Sequence, residues 1–306
     1  MSHIFDALQR AESESTGTES PTFSVATELL QAAERKMREA DAMPEPRAGA
    51  DSFDSTPSTS SFDLERCPVL SVSIPEESHL VSVGEEESLG AEKFRFLAVR
   101  LRQLRQSRPL KKVLITSSIP QEGKSMVAAN LACTLARRKR QKTLLLEGDL
   151  RRPTVAAEFG LGKIPGLCEW LSGQTKRINL YRLESLGLWV LPAGAAPQNP
   201  LELMQSGKLS PLMEQLETSF DWIVIDSPPV LPLADASMWS RLADGILLVT
   251  RRGVTQKQQL QRGLAALDTK KLLGALVNGS KDVAHSDYYQ RYAPPASSTE
   301  SDDSNK

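Results

Sequence analysis

Three short stretches carry residues whose types and spacing could do chemistry. The first is Ser117-Ser118-Ile119-Pro120-Gln121-Glu122-Gly123-Lys124-Ser125. A loop of this kind between a strand and a helix cradles phosphate, because backbone N–H groups and the helix N-terminus together favour an anion. Gly123 lets the backbone approach closely, Lys124 would reach the β- and γ-phosphates, and the Ser125 hydroxyl would ligate Mg²⁺. Ser118 stands where the strict phosphate-loop pattern has its first Gly, so the standard motif is met only in part. The bland alternative for Gly-Lys-Ser is an ordinary helix start. The second stretch, Leu144-Leu145-Leu146-Glu147-Gly148-Asp149-Leu150-Arg151-Arg152-Pro153, ends an apolar run with two carboxylates. A spacing of two puts Glu147 and Asp149 on the same side if the strand continues. The third, Trp222-Ile223-Val224-Ile225-Asp226-Ser227-Pro228-Pro229, ends an apolar run with one carboxylate. That is the second metal-holding element expected beside a phosphate loop. For both carboxylate stretches the alternative is a solvated turn at a strand end.

These groups need rigid elements to position them. Short apolar runs at 113–116, 143–147, 188–191, 222–226, 245–250 and 272–277 read as strands. Helical patterns lie between them at 124–138, 201–216 (broken near Gly207), 234–242 and 255–267. Continuous apolar strands alternating with amphipathic helices predict an α/β fold, a doubly wound and mainly parallel sheet in three α/β/α layers. Ligands bind at the carboxyl edge of such a sheet, where all three motifs fall. Ahead of it, Phe94, Leu97, Ala98, Leu101 and Leu104 recur at helical spacing and predict a helix over 90–106, ended by Pro109.

The chain has 306 residues and a formal net charge of −1, which excludes a globally basic nucleic-acid binder. No apolar run approaches the roughly 20 residues that span a bilayer. The N-terminus lacks the apolar core of an export signal. Cys67, Cys133 and Cys168 form neither a disulfide framework nor a zinc pattern, and read as reduced cytosolic thiols. The near-zero charge conceals segregation. Residues 1–60 hold more acids than bases, while Lys93, Arg95, Arg100, Arg102, Arg105, Arg108, Lys111 and Lys112 follow one another without an acid. That basic run is either a docking face for acidic segments or lipids, or a solvated helix face. Residues 13–63 are rich in Ser, Thr, Glu, Asp and Pro, a composition that cannot offset its ordering entropy. The expected organisation is therefore a mostly disordered acidic region over 1–84 with short helical islands near Ile4–Leu8 and 26–40, a phosphate-loop domain over 85–292, and a loose tail over 293–306. Tyr288, Tyr289 and Tyr292 cluster at the end of that domain, although the chain has only 4 Tyr. They suit either phosphorylation or an aromatic anchor.

In this order, these features resemble the bacterial tyrosine kinases, the phosphate-loop autokinases of capsule and exopolysaccharide production. The resemblance covers about residues 85–292, and includes Leu191-Pro192-Ala193-Gly194, Asn199-Pro200-Leu201-Glu202-Leu203 and Leu276-Val277-Asn278-Gly279. It implies a phosphate-loop NTPase of the deviant Walker A type and an ATP- and Mg²⁺-dependent tyrosine autokinase. Nucleotide contacts would come from Ser118, Pro120, Gln121, Glu122, Gly123, Lys124, Ser125 and Met126, with Asn278 near the adenine. Metal would be held by Ser125, Asp149 and Asp226. Lys124, Glu147, Asp149 and Asp226 would be catalytic, Glu147 helping to deprotonate a tyrosine hydroxyl where the family more often has Asp. Autophosphorylation would fall on Tyr288, Tyr289 and Tyr292. The resemblance further implies protein tyrosine substrates, a homo-oligomer and a transmembrane activator of the polysaccharide co-polymerase type, with the kinase cytoplasmic and held at the inner membrane by that partner. The family usually has Gly at the position of Gln121, and its oligomerisation helix reads Glu-x-x-Arg-x-x-Arg, where this chain has Glu92, Arg95 and Ala98. Two other readings share the fold: a partitioning-type ATPase, whose extra loop Lys is here Ile119, and a nucleotide-sensing scaffold without kinase activity.

Overall fold

In a computed structural model of the chain, the described residues are 62–75, 77–84, 88–138, 140–231 and 234–279. The helical islands, the C-terminal tail and the three tyrosines lie outside them. The strands form where the aliphatic runs are. They are β1 (Val69–Leu70), β2 (Lys112–Ser117), β3 (Thr143–Glu147), β4 (Tyr181–Leu183), β5 (Leu188–Leu191), β6 (Trp222–Asp226), β7 (Gly245–Arg251) and β8 (Leu272–Asn278). They make one sheet in the order β1-β4-β5-β3-β6-β2-β7-β8. Every pairing is parallel except that of β4 with β5.

Strand residues alternate between two apolar layers. Val113, Ile115, Leu145, Val224 and Val249 share one core, and Leu114, Leu144, Leu146, Ile223, Ile225 and Leu248 the other. Burial on both faces explains why the runs are continuously apolar rather than alternating. The helices are α1 (Val81–Gly84), α2 (Leu89–Ser107), α3 (Lys124–Ala136), α4 (Val155–Glu158), α5 (Leu167–Leu171), α6 (Pro200–Met204), α7 (Leu209–Ser219), α8 (Asp235–Leu242) and α9 (Lys257–Ala265). The first core takes Val127, Leu131 and Leu135 of α3 with Phe94 and Leu101 of α2. The second takes Leu212 and Leu216 of α7 with Trp239 of α8. The doubly wound, three-layer architecture is thus present. The expected break in the 201–216 helix falls at Gly207, whose φ of 77° separates α6 from α7.

Composition places the domain start at residue 85, but 62–84 also lies on the sheet. Leu64 joins one core and Leu80 the other, with β1 between them pairing along β4. The segment therefore crosses the sheet edge from one face to the other. Asn130 of α3 fastens it: its side-chain oxygen accepts from the Ser82 N–H at 2.9 Å, and its amide donates to the His79 carbonyl at 2.8 Å. Leu70, Val72 and Ile74 alternate here and pack on one core, a strand-like signal that the polar composition around it outweighed.

Helix α2 begins at the N-cap Ser88, whose hydroxyl accepts from Ala91 N–H at 3.2 Å. Much of the basic run that follows is consumed inside the domain. Arg105 lies 4.9 Å over the Trp222 ring and donates to the Asp221 carbonyl. Arg108 donates to the Asp244 carbonyl, Lys111 to the Glu217 carbonyl, and Lys112 pairs with Glu217 and Asp244. The three cysteines are free thiols, and Cys133 and Cys168 are buried. Among the described residues no helix is long and apolar enough to cross a membrane.

Candidate active site

The phosphate-loop candidate runs from the end of β2 to the start of α3, at the carboxyl edge of the sheet. Gly123 takes φ 89° as the residue before α3. A Cβ there would meet the Asn278 amide nitrogen at 2.2 Å, in a conformation that L side chains rarely adopt. Asn278, at the end of β8, instead donates to the Glu122 carbonyl at 3.0 Å. It thus braces the loop, a contact that its resemblance-based place near an adenine did not foretell. Glu122 is fully buried, accepting from Ile119 N–H at 2.8 Å and from the Thr255 hydroxyl. Pro120 and Gln121 are exposed, and Met126 is half-buried on the first turn of α3. Ser118 is fully buried against α9, where a Cβ on Gly263 would fall 2.4 Å from its hydroxyl. The extra side chain of Ser118 is therefore accommodated by a missing one on α9.

Gln121 has φ 64°, the single positive φ outside glycine among the described residues. This is the position where the resembled family has Gly, so the loop keeps a glycine-type conformation with a side chain that opposes it. Gln121→Gly should relieve about 1 kcal/mol of left-handed strain, partly offset by the greater freedom of an unfolded glycine. The net change expected in chemical denaturation is small, between zero and about 1 kcal/mol of stabilisation. A loss above about 1 kcal/mol would show that Gln121 makes a contact worth more than its strain.

Lys124, Ser125, Asp149 and Asp226 come together. The Lys124 ammonium lies 2.8 Å from Asp149 Oδ2, 3.8 Å from Asp226 Oδ1 and 3.2 Å from the Ser125 hydroxyl. Burial opposes the ammonium, but Asp226, Asp149 and Glu147 together hold its pKa above the usual lysine value. Asp226 is fully buried, and burial raises its carboxyl to about 6 against the pull of Lys124 and the nearby Ser125 hydroxyl. Neither Asp226 oxygen has a hydrogen-bond partner of good geometry. A buried carboxylate without hydrogen bonds, beside a hydroxyl at a helix start, fits a hard divalent cation. Among the described residues no three His, Cys, Asp or Glu side chains cluster to hold a metal.

Glu147 does not join this group as a free carboxylate. The strand stops at Glu147 rather than continuing, so the two-residue alternation does not carry on to Asp149. Oε1 of Glu147 accepts from the Thr154 and Val155 N–H groups, the latter at 2.7 Å, and Oε2 accepts from Ala193 N–H at 2.9 Å. Burial raises its pKa to about 7 even though these three N–H groups favour the charged form. Between the two carboxylates, Gly148 N–H donates to the Asp226 carbonyl at 2.6 Å, and the Trp239 indole donates to the Gly148 carbonyl at 2.9 Å. Arg151 forks onto Asp235 at 2.6 and 3.2 Å. These supports hold Asp149 in place. The indole and Asp235 belong to α8, far along the chain, and no motif announced them.

No protein-family model matches the chain. It is 36% identical to the tyrosine-protein kinase YwqD of Bacillus subtilis over 215 residues, which covers 69% of this chain and 90% of that protein. It is 34% identical over 182 residues to the tyrosine-protein kinase CpsD of Streptococcus pneumoniae serotype 4, covering 58% and 80% of the two chains. Among solved structures, the chimerical protein CapA2B2 is similar with a TM-score of 0.61 and 31% identity, over 69% of this chain and 93% of that one. The kinase domain of the Escherichia coli tyrosine kinase ETK gives a TM-score of 0.58 and 28% identity, over 65% and 79%. By its motifs, its fold and these likenesses, the chain belongs to the bacterial tyrosine kinase family.

Proposed function

We propose that the chain is an ATP- and Mg²⁺-dependent tyrosine autokinase that modifies its own Tyr288, Tyr289 and Tyr292 and regulates capsule or exopolysaccharide production. The observation that carries this reading is the Lys124–Asp149–Asp226 constellation at the start of α3. Loop N–H groups and Lys124 bind phosphate. Ser125 and Asp226 would hold Mg²⁺, with Asp149 as a further ligand or a water-bridged one, and the bound ion would supply charge stabilisation for the transferred phosphoryl group. Asp149 is the carboxylate assigned to accept the tyrosine proton: its Oδ1 takes one backbone N–H, from Arg152 at 3.1 Å, and its Oδ2 faces Lys124, whereas the two Glu147 oxygens take three backbone N–H groups. Glu147 enters as a positioning residue. A transmembrane activator of the polysaccharide co-polymerase type, which would hold the kinase at the inner membrane, and assembly into a homo-oligomer belong to the same reading, as do other protein tyrosine substrates.

The test is incubation of the full chain with ATP and Mg²⁺, with the cytoplasmic segment of such an activator supplied, followed by phosphosite mapping. Phosphate on the 288–292 tyrosines is expected. An unmodified cluster would sink the autokinase reading.

The site also sets a pH dependence. Asp226 and Glu147 have folded pKa values near 6 and 7, above those of unfolded carboxyl groups. The folded chain therefore binds more protons between about pH 4 and 7, and the ligand-free protein loses stability as pH rises through that window. Thermal unfolding should give a higher Tm near pH 5 than near pH 7.5. Mg²⁺ with ATP should raise Tm more at the higher pH, where Asp226 is ionised. Equal Mg²⁺·ATP shifts at both values would count against Asp226 as the metal-holding carboxylate.

A further inference from the structure

Two arginines follow Asp149, and they meet different fates. Arg151 forks onto Asp235, whose side chain is only 3% exposed, so its guanidinium is committed to α8. Arg152 is anchored through its backbone instead, where its N–H donates to Asp149 Oδ1 at 3.1 Å. Its side chain is exposed, and its guanidinium has no partner among the described residues. The turn beneath it is held at both ends. Gly148 N–H donates to the Asp226 carbonyl, and the Thr154 and Val155 N–H groups close on Glu147. Between them Pro153 fixes its own φ.

Asp149 stands between two cations. Its Oδ2 lies 2.8 Å from the Lys124 ammonium, and its Oδ1 holds the backbone of Arg152. Phosphates gathered by Lys124 therefore lie on one side of the carboxylate, and Arg152 is rooted on the other. Lys124 is paired with Asp149, and Arg251 donates to the Gln121 carbonyl, so these neighbouring cations are engaged within the domain. Arg152 is free to meet what arrives with an acceptor tyrosine. The three tyrosines near the end of the chain differ in what precedes them: Asp287 precedes Tyr288, Tyr288 precedes Tyr289, and Arg291 precedes Tyr292.

We propose that Arg152 is a specificity-determining residue, selecting tyrosines that have an anionic group immediately ahead of them. This rests on the autokinase reading and names the acceptor sequence that its site prefers. A guanidinium pairs with a carboxylate or a phosphate through parallel N–H···O bonds, which a neutral side chain cannot replace. Tyr288, behind Asp287, is then modified first. In each transfer the bond from the tyrosine oxygen to the γ-phosphorus forms as the bond from that phosphorus to the ADP oxygen breaks, and the phenolic proton passes to Asp149. Phosphotyrosine carries a charge of about −1.5 to −2. Modified Tyr288 thus becomes the anion ahead of Tyr289, while Tyr292 follows a cation and comes last.

The test uses the full chain with Mg²⁺·ATP and the activator segment, and a peptide of residues 283–293 carrying Tyr289→Phe and Tyr292→Phe. The same peptide with Asp287→Asn or Asp287→Lys is run beside it. For wild type, KM should be about fivefold lower with Asp287 than with Asn, with kcat nearly equal. Arg152→Gln should erase that difference, and Arg152→Glu should reverse it in favour of the Lys peptide. Timed phosphosite mapping of the full chain should show Tyr288, then Tyr289, then Tyr292. Equal KM for the Asp and Asn peptides with wild type needs no enzyme variant to fold, and would overturn the proposal. So would discrimination that survives in Arg152→Gln, an effect of that variant on the KM for ATP instead of the peptide, or Tyr292 modified ahead of Tyr288. Absence of phosphotyrosine on every peptide and on the chain would overturn the autokinase reading and this proposal together, whereas phosphorylation that ignores Asp287 overturns the proposal alone.

Discussion

Replacing Lys124 by Met should abolish phosphotyrosine formation, with a loss of at least about 10³-fold. The lysine side chain is only 13% exposed, and it is paired with Asp149 while the Asp226 carboxylate lies just beyond at 3.8 Å. Without it, a transferring phosphoryl group loses its nearest fixed positive charge, and two carboxylates face each other with nothing between them. The variant should also be less stable, because removing one partner of a buried pair costs up to about 3–5 kcal/mol. Protonation of Asp226, whose pKa is already raised, reduces that cost. Asp226→Asn separates the two effects. It removes a buried charge without removing volume, so it should keep the fold and still lose Mg²⁺-dependent transfer. Phosphotyrosine blotting together with thermal unfolding reads both. Wild-type phosphorylation in a folded Lys124→Met protein would remove Lys124 from the reaction.

Glu147→Ala should be the most destabilising single change in the site, by on the order of 3–5 kcal/mol in denaturant titration. Three backbone N–H groups from two separate loops would lose their acceptor, and those of Val155 and Ala193 are buried. Each unsatisfied buried donor costs about 1–3 kcal/mol. Loss of the charge itself offsets part of this, because burial already disfavours the ionised form. Glu147→Gln retains one acceptor oxygen but aims an NH₂ at a donor, so it should fall between wild type and Ala. If Glu147→Ala unfolds with wild-type stability yet has lost transfer, the side chain acts on substrate rather than on the loops.

The sequence made the central strands legible because each is buried on both faces. Val113–Ile115, Leu144–Leu146 and Ile223–Ile225 can be nothing but apolar, so their ends, and the lysine and carboxylates there, were locatable. Lys124, Asp149 and Asp226 accordingly meet where the motifs placed them. Strands β1 and β4 are two and three residues long, too short to stand out, and both were missed. The engagement of Glu147 was equally hidden. It depends on Ala193, 46 residues further on, and on the strand ending one residue before the assumed continuation. Spacing reports a side chain's direction only while the backbone stays regular. In the basic run at 93–112, charge on a helix face does not tell which guanidinium groups will stack on a tryptophan or bond a carbonyl across the domain.

The crossing of the sheet edge by 62–84 has a consequence for solubility. β1 pairs with the outer side of β4, Val69 opposite Arg182 and Leu70 opposite Leu183. Removing the segment would bare a strand whose Tyr181 and Leu183 are buried, along with a row of unsatisfied N–H and C=O groups. Such an edge recruits strands from other molecules. A fragment beginning at residue 85 would keep every catalytic side chain and still be prone to aggregate, whereas one beginning at residue 62 keeps β4 paired and leaves only the two-residue β1 as its edge.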